Sequence, residues 1–237
     1  ALIEQGFSFS RIAGSSAGAI IGALYCQGIM PKEILKILNN LNYFSFFRPA
    51  LNWQALLNLE KVIDFLSIHL PIDDFSSLHT PLVVVATDLK KGKIKYFKKG
   101  KLWRTLIASC SIPVVFSPVK IKGTAYVDGG LLNNLPIEPL KKKCNYVIGL
   151  HCNPIGIIRT RVNWKKQLER SWLLAISSRD RLKIKKIDLF WEPPELSSYH
   201  VFNFKRLDTI FEIGYDYALQ QLRKGKSEFL INSYVRN

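Results

Sequence analysis

The sequence is poor in cysteine, methionine and acidic side chains, and it has no long apolar run. Its four cysteines (Cys26, Cys110, Cys144 and Cys152) lie far apart and form no CxxC pair. That excludes a disulfide scaffold and a four-cysteine zinc site. Free thiols point to a reducing, cytoplasmic compartment. The most apolar early stretch, Ile12 to Cys26, is broken by glycine and serine. It falls short of the ~18 apolar residues that a spanning helix needs. No charged segment precedes it, so this stretch does not read as a signal peptide. Zinc-finger spacing, an RNP-type aromatic motif and a GXXG loop are all missing, so no specific nucleic-acid partner is indicated.

What is present is a globular composition. The 237 residues are 48% hydrophobic and 22% charged, with 34 Lys+Arg against 18 Asp+Glu, a net charge of +16. Disorder over the whole chain is excluded. The length suits one large domain or two small ones. With no internal repeat and no low-complexity linker, a single domain over 1–237 is expected, best supported over 1–152. The basic residues cluster: Lys90, Lys91, Lys93, Lys95, Lys98, Lys99 and Lys101; Lys141 to Lys143; Arg159, Arg161, Lys165, Lys166 and Arg170; Arg179, Arg181, Lys183, Lys185 and Lys186. Such a surface attracts polyanions, anionic lipid head groups or nucleic acid, and charge alone does not separate them. A plain solvated face is the alternative.

Hydrophobic periodicity orders the chain. ALIEQGF reads as the last turns of a helix closed by Gly6, as expected of a chain whose beginning lies upstream of Ala1. Phe7 to Ala13 reads as a short strand. Ala17 to Gln27 reads as a small-residue helix stopped by Gly28. Pro31 opens a second helix with Ile34, Leu35, Leu38 and Leu41 on one face. Leu59, Val62, Ile63 and Leu66 mark a third. Pro81 to Leu89 (PLVVVATDL) has the pattern of a strand buried on both faces. After the turn Lys90–Lys93, Ile94 to Phe97 returns as a strand. Leu102 to Ser109 reads as helix, and Val119–Ile121 and Ala125–Val127 as short strands. Asn145 to Cys152 reads as a second buried strand, Trp164 to Ile176 as helix, Asp188 to Trp191 as strand. Leu207, Ile210, Phe211, Gly214 and Ala218 form a last amphipathic helix. Apolar strands alternating with helices imply an α/β fold, three layers α/β/α around a mostly parallel sheet.

Two short motifs carry chemistry. Gly14-Ser15-Ser16-Ala17-Gly18 is a GxSxG between a predicted strand and a predicted helix. A sharp strand-to-helix turn there would project Ser16 beside the positive end of the helix, favouring an oxyanion and a more nucleophilic oxygen. Gly14 and Gly18 would keep the turn free of clashes. A tight junction packed on small residues is the plainer reading of the same letters. The second motif is Asp128-Gly129-Gly130, after the strand Ala125–Val127. Active sites in open α/β sheets lie at the carboxyl ends of strands. An ordinary Asp-Gly turn has the same letters.

These segments together resemble the patatin-like phospholipases. Gly14 to Ala19 (GSSAGA) matches the nucleophile elbow of that family, and Ala125 to Pro136 (AYVDGGLLNNLP) its Asp-Gly-Gly block. Ala108 to Pro118 (ASCSIPVVFSP) is similar to the stretch preceding that block, and Ala86 to Gly100 to its Thr-Asp-Leu hairpin. The resemblance runs from residue 1 to about Cys152. It implies a histidine-free dyad: Ser16 as nucleophile forming an acyl-enzyme, and Asp128 as the base for the hydroxyl and then for water. Gly14, Ala17, Gly18, Gly129 and Gly130 would support the elbow and the turn. The implied partner is a phospholipid or other acyl lipid at a peripheral, anionic membrane surface, with no metal and no organic cofactor. One departure stands out. The family builds its oxyanion hole from a loop Gly-Gly-Gly-x-Arg/Lys-Gly, whereas the one Gly-Gly here is Gly129-Gly130. That loop is expected upstream of Ala1. A catalytically impaired surface or scaffold protein is the alternative.

Other candidates are weaker. His151 and His200 follow Asp128, the order of an ordinary serine hydrolase. Each also fits a strand end or surface position. His69 and His79 receive no role. Asp88 suits the turn that follows it. Cys110 and Cys152 lack a setting that would lower a thiol pKa. Tyr43, Phe44, Phe46 and Phe47, next to Arg48, make an aromatic loop that reads as core packing or as an interfacial lid.

Overall fold

A computed structural model describes residues 1–41, 48–49, 57–58, 62–157, 163–200 and 204–234. The aromatic loop 42–47 and the cations Arg159 and Arg161 lie outside the described residues. A 3-10 turn, Ile3–Gln5, stands where the sequence suggests the end of an α-helix, and Gly6 closes it. The first strand is later than its apolar letters imply. β1 spans Ile12–Ser15, and Phe7 to Ser10 lie outside the sheet. The helix α1 (Ala17–Cys26) and the proline-opened α2 (Pro31–Asn39) stand where periodicity puts them. The pair β2 (Arg48–Pro49) and β3 (Leu57–Asn58) precedes α3 (Val62–His69).

The centre of the molecule is β4 (Leu82–Asp88), all seven of whose residues are buried. Val84 and Val85 are wholly enclosed, each contributing about 1.5–3 kcal/mol by burial. β4 pairs in parallel with β1, placing Ser15 opposite Val85. Along its opposite edge runs β5 (Lys93–Phe97), while β7 (Thr124–Asp128) continues the β1 edge beside Ala86–Asp88; both are antiparallel to it. β6 (Val119–Ile121) extends the sheet from β7. The five-stranded sheet is therefore mixed and not wholly parallel. Helices cover both of its faces, which gives the α/β/α layering. α1 and α4 (Trp103–Cys110) pack on one face through Ala23, Leu24, Leu102 and Leu106, all with no exposed surface.

The short helices α5 (Gly130–Asn133) and α6 (Glu138–Lys141) follow β7. Next comes β8 (Ile148–Leu150), three residues long. It is not the buried strand suggested by Asn145–Cys152. Among the described residues it pairs only with β9 (Leu189–Trp191), in parallel, and Leu150 is 57% exposed. The apolar run fits a two-stranded pair whose own small core is Leu135, Ile137 and Val147. α7 (Trp164–Ile184) runs two turns beyond its expected end. α8 (Leu207–Tyr234) packs back on the beginning of the chain, where Asp208 accepts from Asn39 at 2.7 Å and Tyr215 donates to Glu4 at 2.6 Å. No helix among the described residues is long and apolar enough to cross a membrane.

Backbone strain falls on an exposed loop residue as well. Val114, between α4 and β6, has φ 72° and is 65% exposed. A β-branched residue is a true outlier there. Val114→Gly removes that strain, loses little burial, and adds some unfolded-state freedom. It is expected to raise stability by about 1 kcal/mol net, read as a higher urea midpoint. A lower midpoint would show that the valine side chain holds the loop.

Candidate active site

The sheet register brings the two motifs together. β1 ends at Ser15, and the chain turns into α1 through Ser16, at φ 54° and ψ −133°. A positive φ at a non-glycine residue costs on the order of 1–3 kcal/mol and persists only where neighbours enforce it. Two neighbours do so. The Ser16 N–H donates to Ser109 Oγ at 2.9 Å, and Ser109 Oγ donates to the Val85 carbonyl at 2.6 Å. Ser109 is wholly buried on α4. It ties the turn to the middle of β4, and sequence reasoning missed it. The available signal was its place in Ala108–Pro118, the stretch quoted for its likeness to the family.

Asp128 is the last residue of β7 and is 2% exposed. Its backbone N–H donates to Ser111 O at 2.8 Å, and its carbonyl accepts from Thr87 Oγ1 at 2.9 Å. Its carboxylate receives two hydrogen bonds. Ser16 Oγ donates to Oδ2 at 2.7 Å, and the Gly130 N–H donates to Oδ1 at 2.6 Å. Residues 112 apart in sequence thus meet at the ends of β1 and β7.

The glycines act differently from one another. A Cβ on Gly129 would lie 2.3 Å from the Val85 carbonyl and 2.7 Å from Ser15 Oγ, so only glycine lets β7 turn this close to β4. A Cβ on Gly14 would lie 2.5 Å from the Gly18 carbonyl. Gly18 itself has open space where a Cβ would point. The crowding expected at both glycines of GxSxG therefore falls on Gly14 alone. Ala17 opens α1 as its first residue.

Burial pushes the Asp128 carboxyl up to about 6, against the pull of the Ser16 hydroxyl and the Gly130 N–H. A carboxylate with that value is a stronger base than an exposed one, and it is still largely ionised at neutral pH. Burial and the nearby Asp128 charge push the Cys110 thiol well above its ordinary range. It is a neutral neighbour of Ser16.

The remaining candidates lie elsewhere. His151 Nε2 is 3.1 Å from Asn134 Nδ2, and its Nδ1 is 2.6 Å from Glu192 Oε1. His200 pairs with Glu169 at 3.0 Å. His69 packs against Phe65, and His79 lies beside Gly28. Asp88 accepts the Lys91 N–H at 2.9 Å and fixes the hairpin turn. Among the described residues, no three His, Cys, Asp or Glu side chains gather to hold a metal ion.

A strained serine turn on a layered α/β/α frame, with a buried carboxylate bonded to its hydroxyl, has the architecture of an acyl-transfer site. Residues 1–141 match the family model described as patatin-like phospholipase, and the chain belongs to that family. It is 32% identical over 142 residues to an uncharacterized NTE family protein of Mycobacterium bovis, covering 59% of this chain and 39% of that one. It is 32% identical over 202 residues to the uncharacterized protein YqhO of Bacillus subtilis, covering 71% and 69%. It is 23% identical over 269 residues to lysophospholipase NTE1 of Meyerozyma guilliermondii, covering 96% of this chain and 18% of that protein. The chain thus spans well under half the length of the Mycobacterium and Meyerozyma relatives.

The Asp128 carboxyl also bears on stability. Its folded-state value of about 6 lies above the ordinary 3.8, so its contribution is most favourable below pH 4 and is lost as pH rises through 6. Asp128→Asn removes that dependence. Relative to wild type, the variant is expected to gain up to about 3 kcal/mol between pH 4 and pH 7.5. Urea unfolding at the two pH values measures this. An unchanged difference between the two proteins would mean that Asp128 does not titrate upward.

Proposed function

We propose that this chain is the catalytic unit of a lipid acyl hydrolase, of phospholipase A or lysophospholipase type. The observation that carries this reading is the 2.7 Å hydrogen bond from Ser16 Oγ to Asp128 Oδ2 at a strained elbow. Asp128 takes the Ser16 proton as the oxygen attacks the ester carbonyl. The tetrahedral oxyanion collapses, the alcohol leaves with a proton, and an acyl-Ser16 ester remains. Asp128 then deprotonates a water that attacks this ester, releasing the fatty acid and restoring Ser16. The Ala17 N–H, on the first turn of α1, is an oxyanion donor that the elbow itself supplies. The lysophospholipase name of the Meyerozyma relative and the family match support the lipid class.

The membrane reading rests on charge. Lys90, Lys91, Lys93, Lys95, Lys98, Lys99 and Lys101 are all exposed on and around the β4–β5 hairpin. Leu89 (50% exposed) and Ile94 (37%) lie among them. A lysine-rich hairpin with apolar residues between the charges suits peripheral contact with anionic head groups.

Two outcomes test this section. Fatty-acid release from a lysophospholipid is expected to fall at least about 1000-fold in Ser16→Ala and about 100-fold or more in Asp128→Asn. In wild type the rate is expected to rise with pH through about 6 as Asp128 ionises. A Ser16→Ala protein with the wild-type rate would remove the nucleophile. Separately, binding to phosphatidylserine vesicles is expected to weaken steeply between about 0.1 and 0.5 M salt. Salt-independent binding would contradict an electrostatic surface.

A further inference from the structure

The last turn of α4 holds both halves of the candidate dyad. The Ser111 carbonyl accepts the Asp128 N–H at 2.8 Å, and the Ser109 carbonyl accepts the Gly129 N–H at 3.2 Å. The final carbonyls of a helix have no partner within it, so they are free to hold a neighbouring strand end. Ser109 also reaches the other half, through its side chain. Its Oγ accepts the Ser16 N–H at 2.9 Å.

The polarity of the Ser109 hydroxyl is fixed. A carbonyl can only accept, so the hydroxyl proton goes to Val85 O at 2.6 Å and an oxygen lone pair faces the Ser16 N–H. Ser109 is wholly buried, as are Leu106 and Ala108 beside it. At the other end of α4 the Trp103 backbone N–H donates to Asp73 Oδ1 at 2.8 Å, and its indole N–H to the Leu70 carbonyl at 2.9 Å. The helix is thus tied down at both ends. One buried residue on it bonds the amide of the nucleophile through its side chain and the turn after Asp128 through its carbonyl.

On the hydrolytic reading of the site, on which this rests, we propose that Ser109 is a positioning residue that sets the reach between the Ser16 hydroxyl and the Asp128 carboxylate. Without its hydroxyl the Ser16 amide has no acceptor, and the positive φ of 54° loses a restraint. The elbow relaxes and the 2.7 Å bond to Asp128 lengthens. A misplacement on the order of 1 Å costs about 100-fold in rate. The same bond opposes the burial that raises the Asp128 carboxyl, so weakening it moves that carboxyl further up. Cys110, the titratable neighbour of Ser16 and Asp128, is held neutral by burial and adds no competing charge. The Ser16 amide, spent on Ser109, leaves oxyanion binding to the Ala17 N–H.

Hydrolysis of p-nitrophenyl butyrate, a soluble ester that needs no membrane, tests this in wild type, Ser109→Ala, Ser109→Cys, Thr105→Val and Ser16→Ala. Ser109→Ala is expected to lose about 10–100-fold in kcat, with KM changed less than about twofold. Its pH–rate midpoint is expected above the wild-type value of about 6. Ser109→Cys, nearly isosteric and a weak acceptor, is expected to fall between the two, and it carries the test where the alanine variant does not fold. Thr105→Val removes another buried hydroxyl of α4, which donates to the Lys101 carbonyl at 2.7 Å and touches neither half of the dyad. Its kcat and midpoint are expected to match wild type. A wild-type kcat and midpoint in the folded Ser109 variants overturn the proposal, and so does an equal loss in Thr105→Val. The hydrolytic reading fails by a different result, a wild-type rate in Ser16→Ala.

Discussion

The hydrogen bond between the Ser16 hydroxyl and the Asp128 carboxylate depends on the placement of three strands. β4 is the fixed element, buried along its whole length. β1 and β7 follow one another along the same edge of it, β1 ending opposite Val85 and β7 ending opposite Ala86, so that Ser16 and Asp128 meet where the two strands converge. Val85 is the hinge of this arrangement. Its carbonyl receives Ser109, which in turn holds the Ser16 N–H, and the same carbonyl is the surface that Gly129 must approach. The strain at Ser16 is thus carried by a buried, hydrogen-bonded core, as stored backbone strain requires.

In the proposed mechanism, burial is what makes a carboxylate an adequate base. An exposed aspartate is a poor base at neutral pH. Removing water from Asp128 raises its proton affinity, while two hydrogen bonds keep it oriented and prevent full neutralisation. Histidine is then unnecessary in principle. The four histidines engage other groups: Asn134 and Glu192 for His151, Glu169 for His200, Phe65 for His69 and Gly28 for His79.

Much of this was legible in the letters. The continuous apolar run of Pro81–Leu89 marks β4 because both of its faces are covered. Pro31 and the spacing of Ile34 and Leu38 mark α2, and the hairpin after Asp88 follows from its turn residues. GxSxG and Asp-Gly-Gly each have a commonplace reading alone; their joint likeness to one family singles out Ser16 and Asp128. What stayed hidden depends on partners distant in sequence. Phe7 and Phe9 look like strand residues, yet they lie outside the sheet. Asn145–Cys152 looks buried, yet among the described residues only β9 pairs with it. Ser109 is one serine among several until the register of β4 shows what it holds. Asp180 accepts the Leu135 N–H across 45 positions, a contact that the letters do not show.

The most direct measurement is peptide mass spectrometry after incubation with an alkyl fluorophosphonate at a series of pH values. The account predicts a single adduct, on Ser16, forming at a rate that climbs as pH rises through about 6. An adduct on another serine, or none under conditions where the protein is folded, would contradict it.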